Sequence, residues 1–169
     1  VPPDDMLPDR VPDVLHVLYL VFNEGYAATA GETLVRADLC SEAVRLAKLL
    51  CVLMPDEPEA FGLLALLLLQ DSRRRARVGP DGELVLLADQ DRSLWDAAQI
   101  AAGRDVLDRA LALRGRGPYV VQAAIASLHA AQPRDWAQIA ALYGELSRLT
   151  GSPVVELNRA VAVAEAEGP

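Results

Sequence analysis

Histidines and cysteines are the residues of this chain best suited to metal binding or nucleophilic chemistry, and their spacing favours neither. His16 and His129 lie far apart in the sequence, and neither belongs to a His-x-x-x-His pair. Cys40 and Cys51 lack the Cys-x-x-Cys spacing of a zinc site, and we expect both to be reduced and buried. The sequence therefore predicts no catalytic residue, no metal and no cofactor.

A first cluster of polar and aromatic residues contains Tyr19, Asn23, Glu24 and Tyr26. Tyr19 and Asn23 are four residues apart, so they share one face of a helix. One interpretation is a helix end, in which Gly25 adopts the left-handed conformation and Tyr26 packs back on the helix. The other is a polar surface that contacts a partner.

A second cluster lies at residues 89–96, where three carboxylates, an arginine and a tryptophan occur together. Asp91 can cap the start of a helix, with Trp95 buried behind it. The alternative is a binding groove, because tryptophan and arginine are enriched at interaction hot spots. The candidate partner-binding residues of this cluster are Asp89, Asp91, Arg92 and Trp95.

A basic run at residues 73–75 precedes this second cluster, and Arg73 and Arg74 are also candidate partner-binding residues. The run either meets the acids of residues 89–96 across the intervening turn or is solvated at a helix end. A hydrolase would need Glu24, Asp89 and Asp91 to converge in one cleft. Nothing in their spacing requires that arrangement, so the sequence favours a protein that is not an enzyme.

The composition indicates a helical domain with an acidic surface. Hydrophobic residues make up 52% of the chain but aromatic residues only 5%, so alanine and leucine, both strong helix formers, supply the core. The net charge of −8 repels phosphate, and we expect no direct binding of nucleic acid. The longest apolar run, at residues 60–69, is about half as long as a membrane span, so no membrane partner is expected.

Helical periodicity predicts seven helices. The first runs from Pro12 to Gly25, and the second from Gly31 to a point before Pro55. The third, at about 58–70, is apolar nearly all round and is therefore expected in the middle of a bundle. The fourth begins near residue 91 and ends before residue 117, and the last three lie at about 118–131, 135–150 and 153–166.

Between the third and fourth predicted helices, the apolar residues no longer follow a helical spacing. Short apolar runs flank a Gly-Pro-Asp-Gly turn at residues 79–82, which predicts a short β-hairpin near 76–87. The chain does not begin with methionine, and its proline-rich, acidic start reads as a linker, so we expect a fragment of a longer protein.

Two similar short motifs, which begin at Gly117 and Ser152 and lie 35 residues apart, each start an amphipathic segment. A helix–turn–helix unit of about 34 residues is the signature of tetratricopeptide-like stacking, whose units bind partners. We therefore predict an all-α fold in which an antiparallel helical bundle continues into tetratricopeptide-like helix pairs. The expected regions are a linker at 1–11, a helical bundle at 12–75, a hairpin or loop at 76–90 and helical repeats at 91–169.

Several segments, in their order along the chain, carry a family resemblance. They are VLYLVFNEGY at 17–26, EAVRLA at 42–47, PEAFGLLAL at 58–66, DQDRSLWD at 89–96, GPY at 117–119 and AAIA at 123–126. This order resembles the C-terminal helical extension of a group of extracytoplasmic-function (ECF) sigma factors of bacterial RNA polymerase. The resemblance covers nearly the whole chain, and the first and fourth motifs are the most specific.

The resemblance implies a regulatory, protein-interaction module that acts in transcription initiation in the bacterial cytoplasm. The promoter-reading domains would lie upstream, and the extension would control them within the same protein. The implied partners are core RNA polymerase, the protein's own sigma domains or a signalling protein. The alternative is a small-molecule-sensing helical domain, for which a deep pocket lined by Tyr19, Tyr26 and Trp95 would be expected.

Overall fold

The computed structural model describes residues 7–27, 33–81 and 83–168, and within these ranges the chain is mainly helical. The α-helices are α1 (Leu7–Ala27), α2 (Thr33–Leu53), α3 (Pro58–Asp71), α4 (Ala97–Ala112), α5 (Pro118–His129), α6 (Trp136–Thr150) and α7 (Pro153–Glu167). Single 3-10 turns at Arg74–Ala76 and Arg92–Leu94 lie between α3 and α4. The prediction of an all-α antiparallel bundle is confirmed.

Several helix ends follow directly from local sequence. Pro58, Pro118 and Pro153 begin α3, α5 and α7, because the N–H that proline lacks would have no partner in a first turn. The carboxylate of Asp135 accepts a hydrogen bond of 2.9 Å from a backbone N–H in the first turn of α6. Gly151, at φ 62°, ends that helix in the left-handed conformation.

The first helix begins earlier than the sequence predicted. It starts at Leu7 and runs through Pro12, which was expected at its first turn. Val11 is buried and extends the stripe that Leu15 continues, and this burial offsets the single hydrogen bond that the proline cannot donate. Residues 7–11, predicted as linker, are therefore helical, while residues 1–6 lie outside the described part.

The first helix also continues past the glycine that was predicted to end it. Gly25 lies buried inside α1, which runs to Ala27, so the predicted left-handed end at this glycine is wrong. The Tyr26 ring stacks on the Phe22 ring, with the two centroids 5.2 Å apart, and the Tyr26 hydroxyl donates a hydrogen bond of 3.1 Å to the carbonyl of Gln70. These contacts with α3 fix the last turn of α1 in helical form.

The third helix is the centre of the molecule, as its apolar sequence predicted. Residues 62–69 are all buried. Leu63 and Leu67 pack in a cluster with α1 and α2, whereas Ala65 and Leu66 pack in a cluster with α4 and α5. A third cluster holds α5, α6 and α7 together around Ile139. The core of the predicted bundle and that of the predicted repeats are therefore joined through α3.

The contact between α3 and α5 is unusually close. A Cβ atom on Gly62 would lie 2.6 Å from the backbone nitrogen of Val120, so only glycine fits there. One turn earlier, the carboxylate of Glu59 accepts hydrogen bonds from the backbone N–H groups of Tyr119 (2.9 Å) and Val120 (3.2 Å). A side chain of α3 thus satisfies free donors at the N-terminus of α5. Burial raises the pKa of Glu59, and these donors oppose the rise.

The segment between α3 and α4 corrects the predicted hairpin. A single antiparallel bridge joins Val78 to Leu84, and the N–H of Gly79 donates to the carbonyl of Glu83 at 2.9 Å. Leu84 and Leu86 are 59% and 72% exposed, so the second run has no buried face that would extend the pairing. The prediction of two strands is wrong for the described residues 76–81 and 83–87, which form a bridged turn.

Candidate functional site

A groove runs along the side of the molecule formed by α1, α3, α5 and α7. It consists of a cavity of about 530 Å³ beside α1 and the start of α5, and a cavity of about 390 Å³ beside the end of α5 and α7. Tyr19 and Gln122 line both cavities, so the two are neighbours in one groove. Alternate helices supply most of the lining, which is the usual arrangement of a binding face in a helical-repeat protein.

The larger, apolar cavity is lined mainly by α1 and α5. Leu15 and Tyr19 of α1 face Tyr119 of α5, and the two tyrosine rings meet edge to face with centroids 5.7 Å apart. Burial raises the pKa of Tyr119 to about 12, so its phenol stays protonated at physiological pH. Glu57 and Glu59 make the far end of this cavity acidic.

The smaller, basic cavity is built around Arg73, at the end of α3. Its lining includes Gln70, His129 and Tyr143 and no carboxylate. Burial lowers the pKa of Arg73, and the nearby guanidinium groups of Arg77 and Arg134 lower it further. Within the described residues, no carboxylate oxygen lies within 4.0 Å of the Arg73 guanidinium. The Arg73 charge therefore faces the basic cavity without an acidic partner in the described part of the chain.

The second sequence cluster forms the support behind Arg73. Trp95 is buried, and its ring lies 4.3 Å from the guanidinium of Arg92 and 5.6 Å from that of Arg73. Arg92 also donates hydrogen bonds to the carbonyls of His129 (3.3 Å) and Ala130 (2.7 Å), at the C-terminus of α5. Arg92 and Trp95 thus hold the turn before α4 against the end of α5. This agrees with the first interpretation of the cluster, in which Trp95 is buried behind a capped start.

The acidic members of the two clusters are exposed. The carboxylate of Asp91 accepts a 2.9 Å hydrogen bond from the N–H of Ser93 and so caps the 3-10 turn, whereas the cap of α4 is Asp96 and not Asp91 as predicted. Neither cavity of the groove is lined by Glu24, Asp89 or Asp91. In the described ranges, no group of three or more histidines, cysteines, aspartates or glutamates is arranged to hold a metal.

Of the two alternatives for the basic run, the one in which it meets these acids is wrong for the described residues. Arg74 instead pairs with Asp71, one turn back along the chain, at 2.5 Å. The short local partner satisfies the Arg74 charge at the end of α3, while Arg73 turns to the aromatic ring of Trp95. Asp89 and Asp91 remain at the surface.

The first sequence cluster divides between packing and the groove. Tyr26 lies between Phe22 and the guanidinium of Arg77, which is 3.6 Å above its ring, so the prediction that it packs back on the helix is confirmed. Asn23 is partly buried and lines neither cavity, and Glu24 is exposed. Tyr19 is the member of this cluster that lines the groove.

Sequence reasoning missed the groove residues of α5. These are Tyr119, Gln122, Ala126 and His129. Their spacing of three or four residues places them on one helix face, and the polar groups of Tyr119, Gln122 and His129 distinguish that face from the buried one. The signal was therefore present in the helical period. It could not be assigned before the neighbours of α5 were known.

Other predicted features concern the interior of the fold. Cys40 and Cys51 are free and buried, as expected from their spacing. Burial raises the pKa of the Cys51 thiol to about 11, so this side chain is a poor nucleophile at neutral pH. Among the helices of the described ranges, none has the length and apolar character needed to cross a membrane.

Comparison with known proteins gives a family but no activity. The chain is 54% identical over 165 residues to "Uncharacterized protein R00370" of Rhizobium meliloti (strain 1021), a match that covers 95% of this chain and 39% of that protein. The chain thus spans about two-fifths of the length of this relative. No solved structure matches the chain. The model of DUF6596, described as a family of unknown function, matches residues 10–111, which is more than half of the chain, and the chain therefore belongs to this family.

Proposed function

We propose that the chain is a regulatory, protein-interaction module of an ECF sigma factor and that it acts in transcription initiation. In this proposal its groove contacts the protein's own sigma domains, core RNA polymerase or a signalling protein, and the module does no chemistry of its own. The protein would work in the cytoplasm, where the transcription machinery is found.

The observation that carries this proposal is the groove lined by alternate helices. It combines the apolar cavity, lined by Tyr19 and Tyr119, with the adjacent basic cavity, lined by Arg73. Buried aromatic anchors beside an arginine are typical of protein interaction sites. A groove of this kind can receive an extended segment or a helix of another protein.

The sigma-factor resemblance coincides with the parts of the chain that build this groove. The motif at 17–26 supplies Tyr19 to its lining, and the motif at 89–96 supplies Trp95, which supports Arg73. The Rhizobium relative is long enough to carry further domains in addition to the matched segment. Both observations agree with a regulatory segment attached to sigma domains.

A promoter reporter tests the proposal in the whole protein that carries this chain. We expect that deleting the segment changes reporter activity, and that Gln122→Trp, which fills the groove, changes it in the same direction. Gln138→Trp is the matched control, because Gln138 is exposed on α6 away from the groove. A reporter unchanged by the deletion under inducing and non-inducing conditions would remove the regulatory role. Co-purification of the deleted protein with core polymerase shows whether its sigma domains remain intact.

The isolated chain should not bind duplex DNA. Its net charge of −8 repels the phosphate backbone, and the promoter-reading function would belong to other domains of the protein. Fluorescence anisotropy with a labelled 30-base-pair duplex, at about 150 mM salt, measures this directly. Saturable binding that weakens steeply with added salt would contradict the expectation.

A small-molecule sensor is a second candidate because of the apolar cavity. Its volume of about 530 Å³ falls in the range of small-ligand sites, and its lining is mostly apolar. Of the expected lining residues, Tyr19 contributes, whereas Tyr26 and Trp95 pack elsewhere. A compound that raises the Tm of the wild-type protein but not that of Gln122→Trp would favour this role. No such compound in a broad apolar library would count against it.

A further inference from the structure

The Arg73 end of the groove has a charge that lacks a partner in the described part of the chain. The ion pairs of these residues form within single helical turns, and Arg74, next to Arg73, is satisfied by Asp71. Arg73 is instead partly buried, and its guanidinium carbon lies 5.6 Å from the centroid of the Trp95 ring. A guanidinium removed from water without a carboxylate carries a desolvation cost that an incoming anion would offset.

The surroundings of Arg73 are suited to a carboxylate. Arg77 and Arg134 lie close enough to lower its pKa by repulsion, so the local potential is positive in a chain of net charge −8. Gln122, Tyr143 and Asn158 also line the cavity and can donate hydrogen bonds. Burial raises the pKa of Tyr143, so its hydroxyl retains its proton at neutral pH.

The shape of the groove favours a peptide over a free small acid. The basic cavity adjoins the apolar cavity at Tyr19 and Gln122, which line both, so a segment bound across the two would place an apolar residue in the apolar cavity. At the far end of the groove, Glu57 and Glu59 would repel a second acid. The groove therefore has one basic end, an apolar middle and one acidic end.

We infer that the Arg73 end of the groove recognises an aspartate or glutamate side chain in an extended peptide segment of a protein partner. This inference rests on the proposed function as an interaction module and adds the chemistry of the partner. Arg73 would bind the carboxylate, while Tyr19 and Tyr119 would contact an apolar residue of the same segment.

Panning a phage-displayed library of linear dodecapeptides on the whole protein tests the inference. We expect the enriched peptides to share an acidic residue at a fixed distance from an apolar residue. Arg73→Gln should lose this preference, whereas Arg75→Gln should keep it, because Arg75 is exposed two residues away. Enriched peptides without a fixed acid would overturn the acid recognition and leave the interaction module standing. Recovery of no enriched peptide would overturn the peptide groove itself.

The affinity of the strongest peptide provides the quantitative arm of the experiment. Replacing its acidic residue by the amide should weaken binding to the wild-type protein about tenfold. The same replacement should have little effect on binding to Arg73→Gln, because the two changes remove one interaction. An equal loss on both proteins would show that the acid binds elsewhere. If Arg73→Gln folds poorly, the comparison of the acidic and amide peptides on the wild-type protein still tests the inference. Displacement of the peptide by free glutamate at the peptide's own concentration would contradict recognition of a peptide.

Discussion

At the scale of single residues, His129 has the most consequential environment in the groove. It is partly buried at the end of α5, edge to face with Trp136 at a centroid distance of 5.6 Å. Its Nδ1 atom is buried without a hydrogen-bond partner in the described part of the chain. Burial, followed by the charges of Arg134 and Arg73, lowers the pKa of His129 to about 4. The histidine is therefore neutral in the folded protein at physiological pH.

This environment makes the stability of the protein depend on pH. The unfolded chain binds a proton at His129 below pH of about 6.5, whereas the folded chain resists protonation until pH of about 4. The stabilisation is complete above the unfolded pKa and decreases as the pH falls through this window. Because the ring is partly exposed, we expect a loss of about 1–2 kcal/mol in the free energy of unfolding between pH 7.5 and pH 5.

Urea unfolding of His129→Leu at these two pH values measures the contribution of this histidine. The variant should show a smaller pH dependence than the wild type, because the unfolded chain no longer gains this proton. His16→Gln is the control, since His16 is exposed on α1, and it should behave as the wild type does. A pH dependence of His129→Leu equal to that of the wild type would rule out the lowered pKa as its source.

At the scale of elements, the approach of α5 to α3 fixes the position of the groove. Gly62→Ala would place a methyl group 2.6 Å from the backbone nitrogen of Val120, and only a shift of α5 could relieve that contact. We expect this substitution to destabilise the protein by about 1–3 kcal/mol, despite the higher helix propensity of alanine. Thermal or urea unfolding of the purified variant gives the value.

Gly144→Ala is the matched control for this helix contact. Gly144 lies in α6, and an added Cβ atom would lie 3.4 Å from the flexible side chain of Arg159. Alanine in that helix should therefore be neutral or stabilise the protein by about 0.5–1 kcal/mol. If both substitutions had the same effect, helix propensity and not the α3–α5 contact would decide the outcome.

The sequence predicted the elements well where their signals are local. Pro58, Pro118 and Pro153 mark helix starts that any packing arrangement would preserve, and the apolar sequence of α3 indicates its central place. The prediction failed at Gly25, because the contact of Tyr26 with Gln70 depends on a partner 44 residues away. A hairpin was predicted around Val78, but the structure has a single bridge there, because the exposed leucines have no surface to pack against.

The candidate site was less predictable than the elements for the same physical reason. The two sequence clusters contain Tyr19 and Trp95, and the basic run contains Arg73; all three lie at the groove or directly behind it. Which of their neighbours share the groove depends on how α1, α3 and α5 stack, and helical period alone does not determine stacking. Tyr119 and His129 therefore gained significance only when the face of α5 was placed against α1 and α7.

At the scale of the whole molecule, α3 connects the packing of α1 and α2 to that of α4 and α5. Leu67 of α3 packs with α1 and α2, and Leu66 of α3 packs with α4 and α5. If α3 separates from the helices on one side, apolar surface on the other side is exposed as well. Trp95 and Trp136 both lie beyond α3, so tryptophan fluorescence reports the C-terminal side of the core, whereas far-UV circular dichroism reports all helices. This difference allows a direct test of cooperativity.

We expect the wild-type chain to unfold in urea with coincident fluorescence and circular dichroism transitions. Leu67→Ala, which removes buried volume on the α1–α2 side, should lower the stability by about 2–5 kcal/mol and shift both signals equally. Leu66→Ala is the matched variant on the other side of α3 and should shift them in the same way. A circular dichroism transition that moves to lower urea in Leu67→Ala while the fluorescence transition stays in place would mean that the bundle and the repeats unfold independently. The groove, whose walls come from both sides of α3, would then open whenever either part unfolds.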